Sequence, residues 1–325
     1  MNISSDKKTS DKKISDIKTS DNKSRDHKSP DSIRKAIVAA VIGHSFWGLS
    51  FLASRVALNI TSVTLLLSHR FLLAFIIMSV ILFTRFGSFR LRGRSVLPLI
   101  FLGILEPVVY FYGEQYGILH SSTVFSGVMI ALIPIVATFA AIPVLKEKPT
   151  MKQVLYSLLS VAGVIGIGLL TNSSGSLDWI GVAGLLVAVF SAVAYTLLNR
   201  GISERYTPFE RTYFMLGFGA LVFTVMAVLS VREDPISYFT PFLDWHYVLS
   251  VAFLSVCCSV VAYFFTSYAL TILSVARATV FANLTTAVSV FAGTVFLHEP
   301  FSIVGLLCSI MVVAGIFGVQ RGAAR

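Results

Sequence analysis

Ten long apolar stretches follow one another through most of the chain, at about 35–58, 62–84, 96–117, 121–145, 151–171, 179–199, 209–231, 246–270, 274–297 and 301–320. Each is close to the roughly 20 apolar residues that cross the hydrocarbon core of a bilayer as a helix. No other feature constrains the fold as strongly. The hydrophobic fraction is 55%, the charged fraction 13% and the mean hydropathy +0.81. A soluble protein of 325 residues could not bury that much apolar surface, so the bilayer must be its solvent. The runs are also too long for transmembrane strands and lack their two-residue alternation. The expected fold is therefore all-α and integral to the membrane, with ten transmembrane helices.

The second half repeats the first at an offset of 152. Tyr116 to Glu147, ending in K-E-K-P, aligns with Tyr268 to Glu299, ending in H-E-P, and 9 of 32 positions are identical. These include Ser122/Ser274, Leu132/Leu284, Phe139/Phe291 and Glu147/Glu299. The implied organisation is a basic tail over 1–33 and two five-helix repeats, 34–172 and 173–325. An odd number of spans per repeat inverts the second copy, a common plan among secondary transporters, whose substrate sits at the repeat interface.

Charge placement agrees with the ten-span count. With the N-terminus inside, the inner segments carry Lys7 to Lys35, then Arg85, Arg90, Arg92 and Arg94, then Lys146, Lys148 and Lys152, then Arg200, Arg205 and Arg211, and finally Arg321 and Arg325. Among clear outer-loop positions only Arg232 is basic. That asymmetry predicts a multi-pass protein of the cytoplasmic membrane with both termini cytoplasmic. The net charge of +10 thus describes topology rather than nucleic-acid binding. In the tail, Asp recurs every five residues from Asp6 to Asp31 and Lys keeps the same period from Lys8 to Lys28. Five matches neither helical nor strand periodicity, so a disordered, solvated tail is expected.

Soluble-enzyme chemistry is missing. There is no G-x-x-x-x-G-K-[ST], no H-E-x-x-H and no G-x-S-x-G. Cys257, Cys258 and Cys308 all fall inside spans without metal-ligand or redox spacing, and they read as small core residues. No catalytic residue, metal site or cofactor is expected, and no domain lies outside the membrane.

The interior polar residues are therefore the candidates. At 1.5 Å per residue, His44 lies near the midplane of span one, Arg70 about 12 Å from the outer end of span two, Glu106 about 15 Å into span three and Asn283 about 14 Å into span nine. A charge at such depth costs at least about 3 kcal/mol and is retained beside a partner or a wet cavity. In span three, Gly103, Glu106, Tyr110, Gly113 or Glu114, and Gly117 repeat as one helical face. Thr279, Asn283 and Thr286 do so in span nine, and His44, Gly48 and Arg55 in span one. The site expected for substrate binding or coupling comprises His44, Trp47, Arg70, Glu106, Tyr110, Asn283 and Thr286, with Arg70 and Glu106 as an ion pair that opens and closes. Tyr195 is a further candidate wall of the cavity. Pro107 and Pro134 lie well inside spans and should bend or open them. Arg277 should snorkel at an inner helix end, and Glu147 and Glu299 should mark topology or cap helices.

F-W-G at Phe46 to Gly48, Arg70, and L-I-P followed by K-E over Leu132 to Glu147 resemble the drug/metabolite transporter superfamily, EamA type. Y-A-L at Tyr268 to Leu270, S-V-A-R-A at Ser274 to Ala278 and L-H-E-P at Leu297 to Pro300 extend the resemblance over about 35–320. The family implies ten helices in two inverted five-helix repeats, a central cavity and alternating access without ATP. Its second-repeat L-x-P is replaced here by Leu284-Thr285-Thr286, which puts the geometry of span nine in question. Its members move amino acids, amines, nucleotide-related metabolites and drugs. The expected function is secondary transport of a small polar metabolite, an amino acid or relative, with export favoured on family habit and a proton coupled through Glu106. The expected partners are that substrate and the lipid bilayer; a homodimer is an admissible assembly. The alternative is a membrane-embedded ligand sensor signalling through the tail.

Overall fold

A computed structural model describes residues 29–84, 94–120, 129–170, 179–296 and 303–322, and these are helical apart from short turns, with no strand among them. The expected disorder of 1–28 and the Glu299 topology marker lie outside the described residues, as does the side chain of Arg55.

The first helix, α1, runs Pro30–Leu58, starting before the expected 35 because Ser29 caps it and Pro30 occupies the first helical position, where no N–H is needed. Helix α2 is Val63–Phe83, capped by Ser62. The third apolar stretch is composite: α3 at Leu97–Gly103, a π-helical segment at Ile104–Val109, and α4 at Tyr110–Leu119. Then come α5 at Ile133–Leu145, α6 at Met151–Leu170, α7 at Trp179–Gly201 and α8 at Pro208–Ser230. Thr207 and Glu210 close α8 with a reciprocal capping box. The eighth stretch is again composite, with α9 at Trp245–Phe253, a π-helical segment at Leu254–Val261 and α10 at Ala262–Ile272. Two pieces, α11 at Val275–Thr279 and α12 at Ala282–Phe296, make up the ninth, and α13 at Ile303–Arg321 is the tenth.

Among the described residues seven helices are long and apolar enough to cross a membrane: Pro30–Leu58, Val63–Phe83, Leu97–Glu114, Trp179–Gly201, Pro208–Ser230, Trp245–Ile272 and Ile303–Arg321. Of the other three expected spans, 151–171 is the continuous 20-residue α6, 121–145 is described from residue 129 onward, and 274–297 is interrupted. The bundle is apolar on its outside as well as inside: Phe83, Phe190, Leu221 and Phe317 are each at least 60% exposed. A bilayer satisfies that surface and water does not.

The opening expected at Pro134 is seen in the fourth stretch, where the helix containing Met129–Ala131 turns at Leu132 and restarts as α5 with Pro134 in its first turn. One expectation is corrected. The ninth stretch is not one helix, since the chain turns at Val280–Phe281.

The densest seam joins α6 to α13. A β-carbon on Gly163 would come within 2.6 Å of the Cys308 carbonyl oxygen, and one on Gly315 within 2.6 Å of that of Tyr156. Gly318 lies on the Tyr156 ring and Gly166 on Cys308 Sγ. Ser160 Oγ donates to the Val312 carbonyl at 3.3 Å. Advancing along α6 from Tyr156 to Gly166 means retreating along α13 from Gly318 to Cys308, so the two helices run antiparallel. Tyr156 and Cys308, Ser160 and Val312, and Gly163 and Gly315 are each 152 apart, so each helix presents to the other the positions that the other presents to it. The π-helical segments obey the same offset: shifted by 152, Ile104–Val109 falls inside Leu254–Val261.

Candidate functional site

The π-helical breaks deliver polar groups to the interior. Pro107 has no N–H to give, and Glu106 adopts an extended backbone, φ −141° and ψ 123°, between helical neighbours. The Leu105 carbonyl accepts from the Tyr110 N–H and also from Ser191 Oγ of α7, at 2.7 Å. A lateral donor therefore holds the opening that Pro107 was expected to make. Glu106 Oε1 accepts from the Tyr263 hydroxyl of α10 at 2.9 Å. In the second π-helical segment, Trp47 Nε1 donates to the Cys258 carbonyl at 2.8 Å. Each break is thus braced by a side chain from another helix, as buried backbone demands.

Arg70 of α2 is only 6% exposed. Its Nε donates to Ser259 Oγ at 2.8 Å, and the guanidinium carbon stands 5.4 Å from the Phe71 ring centre and 5.8 Å from that of Phe111. Among the described residues its two Nη atoms have no hydrogen-bond partner and no ion pair joins it to Glu106. The expected pair is thus two separate attachments, Arg70 to Ser259 and Glu106 to Tyr263, on residues one helical turn apart. A planar cation over aromatic rings, with free N–H groups, suits a carboxylate or other planar anion. The second Glu106 oxygen also makes no hydrogen bond among the described residues.

Around this centre, the Trp47 ring stands edge-on to Tyr263 at 5.1 Å and to His44 at 5.0 Å. His44 Nδ1 lies 2.8 Å from the Ala40 carbonyl, so the ring donates one turn back along its own helix. Tyr110 donates to Glu114 at 2.9 Å. His44, Trp47 and Glu106 are thus linked through Tyr263, with Arg70 on Ser259 one turn away, while Tyr110 packs in a neighbouring cluster and Tyr195 is buried in the same core as Tyr263.

Two expected residues stand on α12. Asn283 Nδ2 donates to Ser160 Oγ at 3.1 Å, inside the α6–α13 seam. Thr286 is half-buried on α12, which packs along α1, where neighbouring Thr285 donates to the His44 carbonyl at 3.3 Å. The glycines expected to share a face with Glu106 are contact points instead: Gly103 meets Phe218, and Gly113 meets the backbone of Gly184 and Ala188. The break at Glu106 splits that stripe. Ser259 and Tyr263 were missed. Their signal is Ser255, Ser259 and Tyr263 at four-residue spacing inside an apolar run.

One end of the bundle is closed by polar bonds between the halves. Glu147, just beyond α5, holds Arg200 Nε at 2.9 Å with Oε1 and accepts from the Val275 N–H at 2.7 Å with Oε2. Its expected role as a cap is met at the start of α11. Arg200 Nη1 reaches the Leu270 and Thr271 carbonyls, each at 3.0 Å. A small cavity of about 260 Å³ lies beside this latch, lined by Thr138, Glu147, Lys148, Gln153 and Arg200 among others. Arg211, counted above as a loop charge, is 1% exposed and binds Asn199, the Ser267 carbonyl and Thr271 Oγ1. Arg277 does not snorkel: its Nε donates to Gln320 Oε1 at 2.9 Å and its carbonyl accepts from Gln320 Nε2 at 2.7 Å. All three cysteines are free and at least partly buried. Among the described residues no cluster of His, Cys, Asp or Glu could hold a metal ion.

Comparison with known proteins gives a consistent result. The model of the EamA-like transporter family matches residues 34–169 and 179–321. The uncharacterized transporter YcxC of Bacillus subtilis (strain 168) is 31% identical over 290 residues, covering 87% of this chain and 92% of its own. An uncharacterized transporter of Archaeoglobus fulgidus is 26% identical over 289 residues, covering 89% and 99%. A crystal structure with 17% sequence identity superposes at a TM-score of 0.72 over 89% of this chain and 98% of its own.

Proposed function

Because the chain belongs to the EamA-like transporter family, we propose that it is a secondary transporter that moves a small zwitterionic metabolite, an amino acid or relative, by alternating access. The observation that carries this reading is the Arg70–Glu106 centre. A buried cation and a half-buried carboxylate are held apart, each by one bond, so one substrate carrying both charges can meet both. Arg70 takes the carboxylate, Glu106 takes the amine or the coupled proton, and Trp47, Phe111 and Tyr263 form the walls.

The antiparallel, mutually equivalent contacts of α6 and α13 support ten spans in two inverted repeats. In that arrangement the Glu147–Arg200 latch is a closure at the cytoplasmic face and both termini are cytoplasmic. The latch joins the end of the first repeat to the second, so it must part when the centre opens inward. The protein works in the cytoplasmic membrane, in the direction of export.

The test is exchange in proteoliposomes loaded with a mixture of small metabolites, with and without an imposed pH gradient, the external medium being read by mass spectrometry. Selective release of amino-acid-like compounds, faster with the gradient in the wild type and insensitive to it in Glu106→Gln, is expected. Release without such selectivity ends the zwitterion reading, and a Glu106→Gln variant with full gradient response ends the coupling role.

A further inference from the structure

A groove of about 500 Å³ runs along the outside of the bundle between α1 and α10. One wall is a single stripe of α1, from Asp31 through Arg34, Lys35 and Val38 to Ile42; the other is Phe264, Phe265 and Tyr268 of α10. The groove has a direction. Its apolar part is Val38, Ala39, Ile42 and the two phenylalanines. Its polar mouth is at the start of α1, where Arg34 and Lys35 are exposed and Tyr268 is half-buried. Asp31 and Lys35 pair at 2.7 Å across one turn. Arg34 has neither a hydrogen bond nor an ion pair among the described residues. Residues 31 to 42 span about 16 Å of helix, close to the depth of one leaflet of a hydrocarbon core about 30 Å thick.

We infer that this groove is a binding site for one anionic glycerophospholipid, with its phosphate on Arg34, Lys35 and Tyr268 and an acyl chain along Val38, Ile42 and Phe265. The argument is charge complementarity at a fixed height. Three charges and a phenol lie at the groove's mouth, two of the charges positive, and everything below is apolar. A zwitterionic lipid would bring its own cation to the same mouth and lose the advantage. The inference rests on the chain being membrane-embedded and not on what it transports. The site also has mechanical standing. α1 belongs to the first half and α10 to the second, and they cross where a β-carbon on Gly43 would lie 3.2 Å from the Ala262 carbonyl oxygen. A lipid in the groove therefore touches both halves beside their contact.

Native mass spectrometry of the full chain tests this, with phosphatidylglycerol and phosphatidylcholine of identical acyl chains as the probes. The wild type is expected to retain one phosphatidylglycerol in preference to phosphatidylcholine. Replacing one basic residue should reduce that preference about fivefold, since each cation at a membrane surface contributes about 1 kcal/mol. Arg34→Gln with Lys35→Gln should abolish it. Ala39→Trp, which fills the groove and leaves both charges, should displace the lipid. Lys152→Gln, an exposed charge at the same end, should change nothing. The site is refuted if the preference survives in the double variant, or survives Ala39→Trp. Equal loss with Lys152→Gln refutes it too, because the lipid then follows diffuse surface charge.

Discussion

Arg70 and Arg211 are equally hidden, at 6% and 1% exposure, yet they are opposites in how they are used. Arg211 gives both Nη groups to acceptors on α7 and α10, the Asn199 and Ser267 carbonyls, Asn199 Oδ1 and Thr271 Oγ1. Arg70 makes one bond, through Nε, and presents the rest of its guanidinium to aromatic faces. Arg211 also keeps one N–H to spare, its buried Nε, but four bonds to two helices make it a fastener, whereas Arg70, with one bond and both Nη groups open, is the one placed to take a ligand. Depth alone did not separate them. The count of internal acceptors did.

The contrast is breakable. The largest effect is expected from Arg211→Met. It removes four bonds and leaves the Asn199 side-chain oxygen without this donor, so stability should fall by about 1–3 kcal/mol, read as thermal unfolding in detergent followed by gel filtration. Flux per folded molecule should stay near normal. Next is Arg70→Lys, which keeps the charge but not the planar fork. Transport should drop at least about tenfold, with an unfolding midpoint close to wild type. If Arg70→Lys melts as early as Arg211→Met, both arginines are fasteners and the distinction fails.

The smallest effect sharpens the contrast from outside the membrane. Asp244 caps α9 by accepting from the His246 N–H at 2.8 Å, which holds its carboxyl below the ordinary value of 3.8. A carboxyl depressed in the folded state stabilises fully above that ordinary value, and the contribution fades as pH falls through the lower folded one. The wild type should therefore lose a little stability on strong acidification that Asp244→Asn does not lose, measured as unfolding midpoint against pH.

Seven of the spans were legible because each is a helix-length apolar run. Residues 129–145 and 275–296 were legible as apolar and not as interrupted. The break at Glu106 was signalled by Pro107, a residue that cannot complete the ladder. The break at Leu254–Val261 had no such signal, because it depends on Trp47 arriving from α1 to take the Cys258 carbonyl. The same limit explains the candidate site. Counting 1.5 Å per residue gives the height of a side chain but not the direction in which it points across the bundle. His44, Trp47, Arg70 and Glu106 converge, whereas Asn283, at comparable height, turns to Ser160. Arg211 was misread for another reason: a basic residue near a helix end looks the same in sequence whether it faces water or two neighbouring helices.

The surplus residue in Leu254–Val261 has a geometric consequence. In an unbroken α-helix at about 100° per residue, Tyr247 and Tyr263 would lie about 160° apart around the axis, and one extra residue in the turn reduces that to about 60°. Tyr247 holds His69 of α2, and Tyr263 holds Glu106. The insertion acts as an indexing notch: it brings two tyrosines toward one side of a single rod, so that both can grip the first half of the molecule. Removing one residue there would change no side-chain chemistry, yet it would turn one of the two grips away from its partner.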